Sequence, residues 1–114
     1  MKVLHVLNEL KPSGAETMLR SAAPYWQEHG VRCEILATGE SEGEFAETLR
    51  EAGYPVHHLP SRRNPAYFMN FRRFVRDGGY EWVHQHAEGA SYWFGLATMS
   101  AGARLVRTVH SNFA

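Results

Sequence analysis

The sequence predicts an α/β fold built on a parallel sheet, and three observations carry that prediction. Short apolar runs of strand length alternate with segments of helical periodicity. Glycine, proline or a cap residue stands at nearly every changeover. The helical segments are long enough to serve as crossovers, which implies parallel strands joined by right-handed connections.

The first strand is read at Val3–Leu7, buried and almost uniformly apolar. Gly14 and Ala15 open a helix whose face is Ala15, Met18, Leu19, Ala22, Ala23 and Trp26. Pro24 lies inside it; lacking an N–H, it is expected to kink the helix or end its regular part early. Gly30 is the expected stop. Val31–Thr38 is the second strand. Ser41-Glu42-Gly43-Glu44 has the spacing of a capping box for a second helix with Phe45, Leu49 and Ala52 inward and Gly53 at its close. Val56–Leu59 is a short third strand. Asn64-Pro65 reads as N-cap and first residue of a third helix. That helix is expected to bury Phe68, Phe71 and either Val75 or Phe74, and to end at Gly78-Gly79. Glu81–His86 is the fourth strand, Gly89 to Ala101 a fourth helix closed by Gly102, and Arg104–His110 the fifth strand. The sequence runs only four residues further, without a helix to cover that strand, so a truncated domain is expected.

Composition narrows the function. At 114 residues, 44% hydrophobic and 21% charged, the chain suits one globular domain. Twelve basic residues balance twelve acidic ones, which gives no support for nucleic-acid binding. The one cysteine, Cys33, cannot form an internal disulfide; it reads as a small core residue and fits a reducing, cytoplasmic setting. The apolar stretch after Met1 is too short for a secretion signal, and no window approaches a membrane span.

Ligands of open parallel sheets bind beyond the carboxyl ends of the strands, where the strand order reverses. Asn8 to Gly14, Thr38 to Ser41, Pro60 to Asn64, His84 to Glu88 and His110 to Asn112 fall at that edge. Three of the seven histidines, His84, His86 and His110, gather there, where imidazoles can hydrogen-bond or titrate near neutral pH. The loop into the first helix offers Gly14 for close backbone approach and free N–H groups to an anion, or is simply a helix start. It lacks both the dinucleotide and the nucleotide-hydrolase phosphate-loop patterns. His84 and His86 share a strand face, but no third ligand is evident; His57-His58 is a poor complement because adjacent strand residues face opposite ways. No metal site is therefore expected. No Gly-x-Ser-x-Gly elbow supports a serine hydrolase. Arg62, Arg63, Arg72, Arg73 and Arg76 are interleaved with aromatics. A solvated helix face is the favoured reading, with contact to an acceptor or an anionic membrane as the alternative.

Four stretches together resemble a known family: Val3-Leu4-His5-Val6-Leu7, Ser13-Gly14-Ala15-Glu16, Tyr80-Glu81-Trp82-Val83-His84-Gln85-His86, and Arg104-Leu105-Val106-Arg107-Thr108-Val109-His110-Ser111. Their order and spacing are similar to the N-terminal domain of the family 4 (group 1) retaining glycosyltransferases. The resemblance implies one Rossmann-like half, residues 1–114, of a two-domain GT-B enzyme, with a five-stranded parallel sheet in the order 3-2-1-4-5 and helices on both faces. It implies a missing C-terminal domain that binds most of a nucleotide-sugar donor and carries a paired-glutamate motif. Transfer would be of hexosyltransferase type, with retention, without a metal or other cofactor, in glycan or glycolipid synthesis. The enzyme would be cytoplasmic or peripheral at the inner membrane face.

By position, the resemblance places His110 beside the donor sugar and the reacting centre. Ser13, Gly14, Glu16 and His86 line the donor-diphosphate and acceptor cleft. Ser13 stands where the family often has a second glycine. The fragment alone is expected to be inactive and to self-associate through its uncovered edge strand. Two other readings stay open: a GT-B-fold sugar-nucleotide epimerase, and a stand-alone Rossmann-like binding module.

Overall fold

A computed structural model describes residues 1–12, 14–60, 62, 64–86 and 102–108. In chain order these form β1 (Lys2–Leu7), α1 (Gly14–Glu28), β2 (Arg32–Ala37), α2 (Ala46–Glu51), β3 (Val56–His58), α3 (Pro65–Gly78), β4 (Trp82–His86) and β5 (Arg104–Thr108). The strands make one sheet in the order β3-β2-β1-β4-β5, every neighbouring pair parallel. The order expected from the sequence is thus found, and its reversal lies between β1 and β4. The fourth helix and the end of the fifth strand expected from the sequence lie outside the described residues.

Period-2 alternation sends the strand side chains to two cores. Leu4 and Val6 of β1, Leu36 of β2 and Val83 of β4 face α3, which lays Tyr67, Phe71 and Val75 on them. Leu7 of β1 and Cys33, Ile35 and Ala37 of β2 face α1 and α2, which contribute Leu19, Ala23, Ala46 and Leu49. Cys33 is buried, and burial pushes its thiol up to about 11. It is therefore a core residue and a protonated thiol at neutral pH.

The helices show where local patterns decide and where distant contacts override them. Asn64 caps α3 as expected, its side-chain oxygen accepting from Tyr67 N at 2.7 Å, with Pro65 at the first helical position. Gly79, at φ 66°, closes that helix. The buried face of α3 begins at Tyr67 rather than Phe68, which is only half-buried, because the Tyr67 hydroxyl reaches Leu59 O at 3.0 Å. In α1 the buried residues are Glu16, Leu19 and Ala23, while Met18 faces solvent, so its apolar face is narrower than expected.

Pro24 does not end α1, which runs on to Glu28 with Pro24 on its exposed side. The capping box is a second correction. Helix α2 starts at Ala46 with Phe45 as N-cap and no side-chain cap bond. Ser41 donates instead to Glu9 Oε1 at 2.5 Å. Glu42 takes Arg50 in a two-pronged pair at 2.7 and 2.5 Å.

Candidate functional site

The carboxyl edge of the sheet is shaped by two interlocked loops. In the loop after β1, Leu10 is fully buried; its N–H donates to Glu42 O at 3.0 Å and its carbonyl accepts from Phe45 N at 3.1 Å. Gly43 makes that contact possible. Its φ is +102°, and a Cβ there would stand 2.1 Å from Leu10 O. Only glycine fits both constraints. Thr38 Oγ1 donates to Leu7 O at 3.0 Å, and a Cβ on Gly39 would come within 2.9 Å of Glu9 N. Sequence reasoning missed both loop glycines, because the approaching backbone is more than 25 residues away in the chain.

Helix α1 starts at Gly14, beside this clasp. The Gly14 position is exposed, and a Cβ there meets nothing within 4 Å. The free chain does not itself demand glycine here, so the case for close approach rests on a ligand. Glu16, in the first turn, is buried, and its Oε2 accepts from Lys11 N at 2.8 Å. A carboxylate in the first turn also suits the positive end of the helix. Glu16 therefore holds the loop.

Across the reversal from Gly14, β1 and β4 bring three imidazoles together. The parallel register pairs His5 with His84, and His86 lies two residues on, on the same face. His5 and His86 are 4% and 7% exposed, too enclosed to be ordinary surface histidines. His5 Nδ1 and His86 Nε2 share a hydrogen bond at 3.1 Å. The His84 and His86 rings stack at 3.9 Å, and one ring nitrogen from each of the three lies within 4.8 Å of the others. Burial, with the nearby His84 adding to it, lowers the His5 pKa to about 4, so His5 is neutral at physiological pH. The sequence reading found no third partner for His84 and His86; the structure supplies one, His5. The missed signal was available, since strand order 2-1-4 puts β1 beside β4.

The other expected site residues separate. Ser13, Arg63 and His110 lie outside the described residues. Arg62 sits at the carboxyl edge ahead of α3, exposed. Arg72, Arg73 and Arg76 lie in the second half of α3, which runs away from that edge, with Arg73 and Arg76 exposed and Arg72 half-buried. His57 and His58 do face opposite ways: His57 Nε2 donates to Glu34 Oε1 and His58 Nε2 to Gly39 O, each at 2.8 Å.

A second polar cluster occupies the α3 face. Glu34 accepts from the Tyr80 hydroxyl at 2.7 Å and from His57, and Lys2 Nζ stands 3.4 Å from its other oxygen. Lys2 also donates to Gly78 O at 2.5 Å. Burial alone would raise the Glu34 carboxyl, but Tyr80, His57 and Lys2 hold it below its ordinary value. Burial and the same carboxylate push the Tyr80 phenol up. An open groove of about 470 Å³ runs over this cluster, bordered by Arg73 and Phe74.

Residues 12–114 match the family described as Glycosyltransferase Family 4. The chain belongs to glycosyltransferase family 4. This family 4 chain is 29% identical, over 97% of its length, to EpsF of Bacillus subtilis (strain 168), a protein named as a glycosyltransferase. It spans 30% of that relative's length. Its fold is similar to a solved glycosyltransferase from Rickettsia africae ESF-5, with a TM-score of 0.76, 23% identity and 96% of this chain against 29% of that one. It is similar also to Anabaena Alr3699/HepE, solved in complex with UDP and glucose, with a TM-score of 0.66, 20% identity and 94% of this chain against 29% of that one. No helix among the described residues is long and apolar enough to cross a membrane.

Proposed function

We propose that this chain is the N-terminal, acceptor-side half of a two-domain GT-B enzyme that transfers a sugar from a nucleotide-sugar donor with retention. The observation that carries the reading is the reversal of strand order between β1 and β4, where open parallel sheets bind ligands, with the N-terminus of α1 on one side and His86 on the other, in a family 4 chain. Backbone N–H groups at Gly14 meet the donor diphosphate, because a helix start presents unpaired donors and a positive dipole end to an anion. Glu16 fixes the loop that brings Gly14 there. His86 borders the acceptor, and His110 lies against the donor sugar, where an imidazole can stabilise charge that develops in transfer. The donor is a substrate, and the transfer is assigned no metal.

A second domain supplies the remaining donor contacts and the acidic pair. Transition-state stabilisation needs both walls of the cleft, so the 114 residues alone do not catalyse. The enzyme works in the cytoplasm on glycan or glycolipid synthesis. Arg62, Arg63, Arg72, Arg73 and Arg76 are read as a solvated basic segment, with contact to an acceptor or an anionic membrane as the alternative.

The test is a transfer assay on the full-length protein with UDP- and GDP-sugars. The anomeric configuration of the product is read by NMR. Retained configuration is expected, with turnover lower by orders of magnitude in His110→Ala and donor binding weakened in Gly14→Val. An epimerised nucleotide sugar with no transfer, or full activity in both variants, would overturn the assignment.

A further inference from the structure

We propose that His5, His84 and His86 form a binding site for one borderline divalent transition-metal ion of the zinc class. This does not rest on the glycosyl-transfer reading.

The donor set is the first argument. Three imidazoles converge, and three histidines are an established ligand set for zinc with a further position open to water. Two of them come from a His-x-His pair on one strand face, and the third from the adjacent strand in register, so the backbone sets all three on one side of the sheet. Such a scaffold is stiffer than a loop, because β1 and β4 are held in the sheet by main-chain hydrogen bonds.

Distances are the second argument. Zinc–nitrogen bonds of about 2.0–2.1 Å in tetrahedral geometry put ligand nitrogens about 3.3 Å apart. His5 Nδ1 and His86 Nε2 already stand at 3.1 Å. One ring nitrogen from each of the three imidazoles, His84 included, lies within 4.8 Å of the others. Rotation about the ring-bearing torsion, which is broad for histidine, closes the remainder and opens the His84–His86 stack.

The third argument is burial. His5 Nε2 is buried without a hydrogen-bond partner among the described residues, so the described residues leave that one ring nitrogen unused. The position, at the β1/β4 reversal, would let a bound ion brace the two strands that meet there.

The full-length protein, stripped with a chelator, is titrated with Co2+ as a spectroscopic stand-in for Zn2+. Visible d–d bands of a low-coordinate site are expected to saturate at one ion per chain and to be abolished by Zn2+. His5→Phe and His84→Gln should each weaken binding at least about 100-fold, more than loss of a supporting contact would. His58→Ala, at a histidine outside the cluster, should leave it unchanged. If His5→Phe fails to fold, His84→Gln at its half-buried position gives the same readout. No saturable Co2+ spectrum, or one that survives both cluster variants, would overturn the proposal. Neither result depends on whether the protein transfers sugar.

Discussion

Among the described residues the sheet carries a polar cluster on each face, partly exposed on the α3 side and buried on the α1 side, and they are satisfied in opposite ways. On the α3 face, Glu34 is a hub whose donors are Tyr80, His57 and Lys2, and each partner carries a charge or dipole that favours the carboxylate. On the α1 face, His5 meets other imidazoles, and its charged form is disfavoured by burial and by His84. Complementary groups that neutralise one another hold a fold together. Like groups brought close serve stability poorly, since the same volume filled with apolar atoms would do as well. The difference sets a cluster whose members stabilise one another against one that suits the proposed metal site better than it suits the fold.

The largest effect expected is at the structural hub. Glu34→Leu should cost about 2–3 kcal/mol, because it takes the acceptor from the buried Tyr80 hydroxyl and from His57, while Lys2 keeps Gly78 O. Urea denaturation measures it, and a loss under about 1 kcal/mol would break the contrast. Tyr80→Phe should cost less, about 1–2 kcal/mol, since it removes one hydrogen bond to a charged group and leaves two partners in place.

Acid should sharpen the same contrast. The Glu34 carboxyl is held below its ordinary 4.5, so its contribution is present above that pH and lost as pH falls through the lower, folded-state value. The stability gap between the parent and Glu34→Gln should therefore narrow steadily below about pH 4.5. A gap that stayed constant with pH would mean that the ionised carboxylate is not what the network uses.

The smallest effect is expected on the other face. His5→Phe should cost metal-free stability about 1 kcal/mol: the ring shape is kept and an unpartnered buried nitrogen is removed, but the hydrogen bond to His86 is lost. A loss as large as that of Glu34→Leu would make the histidine cluster structural too.

How much of this could be read beforehand depends on whether the deciding contact was local. Asn64-Pro65 was legible because a cap acts within one turn, and the Gly30 and Gly79 stops for the same reason. The alternation of strands and helices was legible because each needs only its own periodicity. Ser41 was misread because its hydroxyl is taken by Glu9, 32 residues away. Tyr67 was passed over because its burial depends on the carbonyl of Leu59, in the loop just after β3. Pro24 was expected to kink α1 or end its regular part early; it lies on the exposed side of a helix that continues to Glu28, so it does not end it. Of the candidate site, His84 and His86 were legible as a pair on one strand, whereas His5 looked like one polar letter in an apolar strand. Only the pairing of β1 with β4 gives it a role.

The clasp between Leu10 and Gly43 ties the histories of two loops together. A substitution at Gly43 would push on the Leu10 carbonyl and so displace the segment that leads to Gly14. The loop after β2 therefore cannot drift in sequence or length without moving the loop after β1. Diversification of this edge is channelled toward segments outside the clasp, such as the stretch from Pro60 to Asn64. Two chains that differ in what they accept should then differ most there, and least where these two backbones touch.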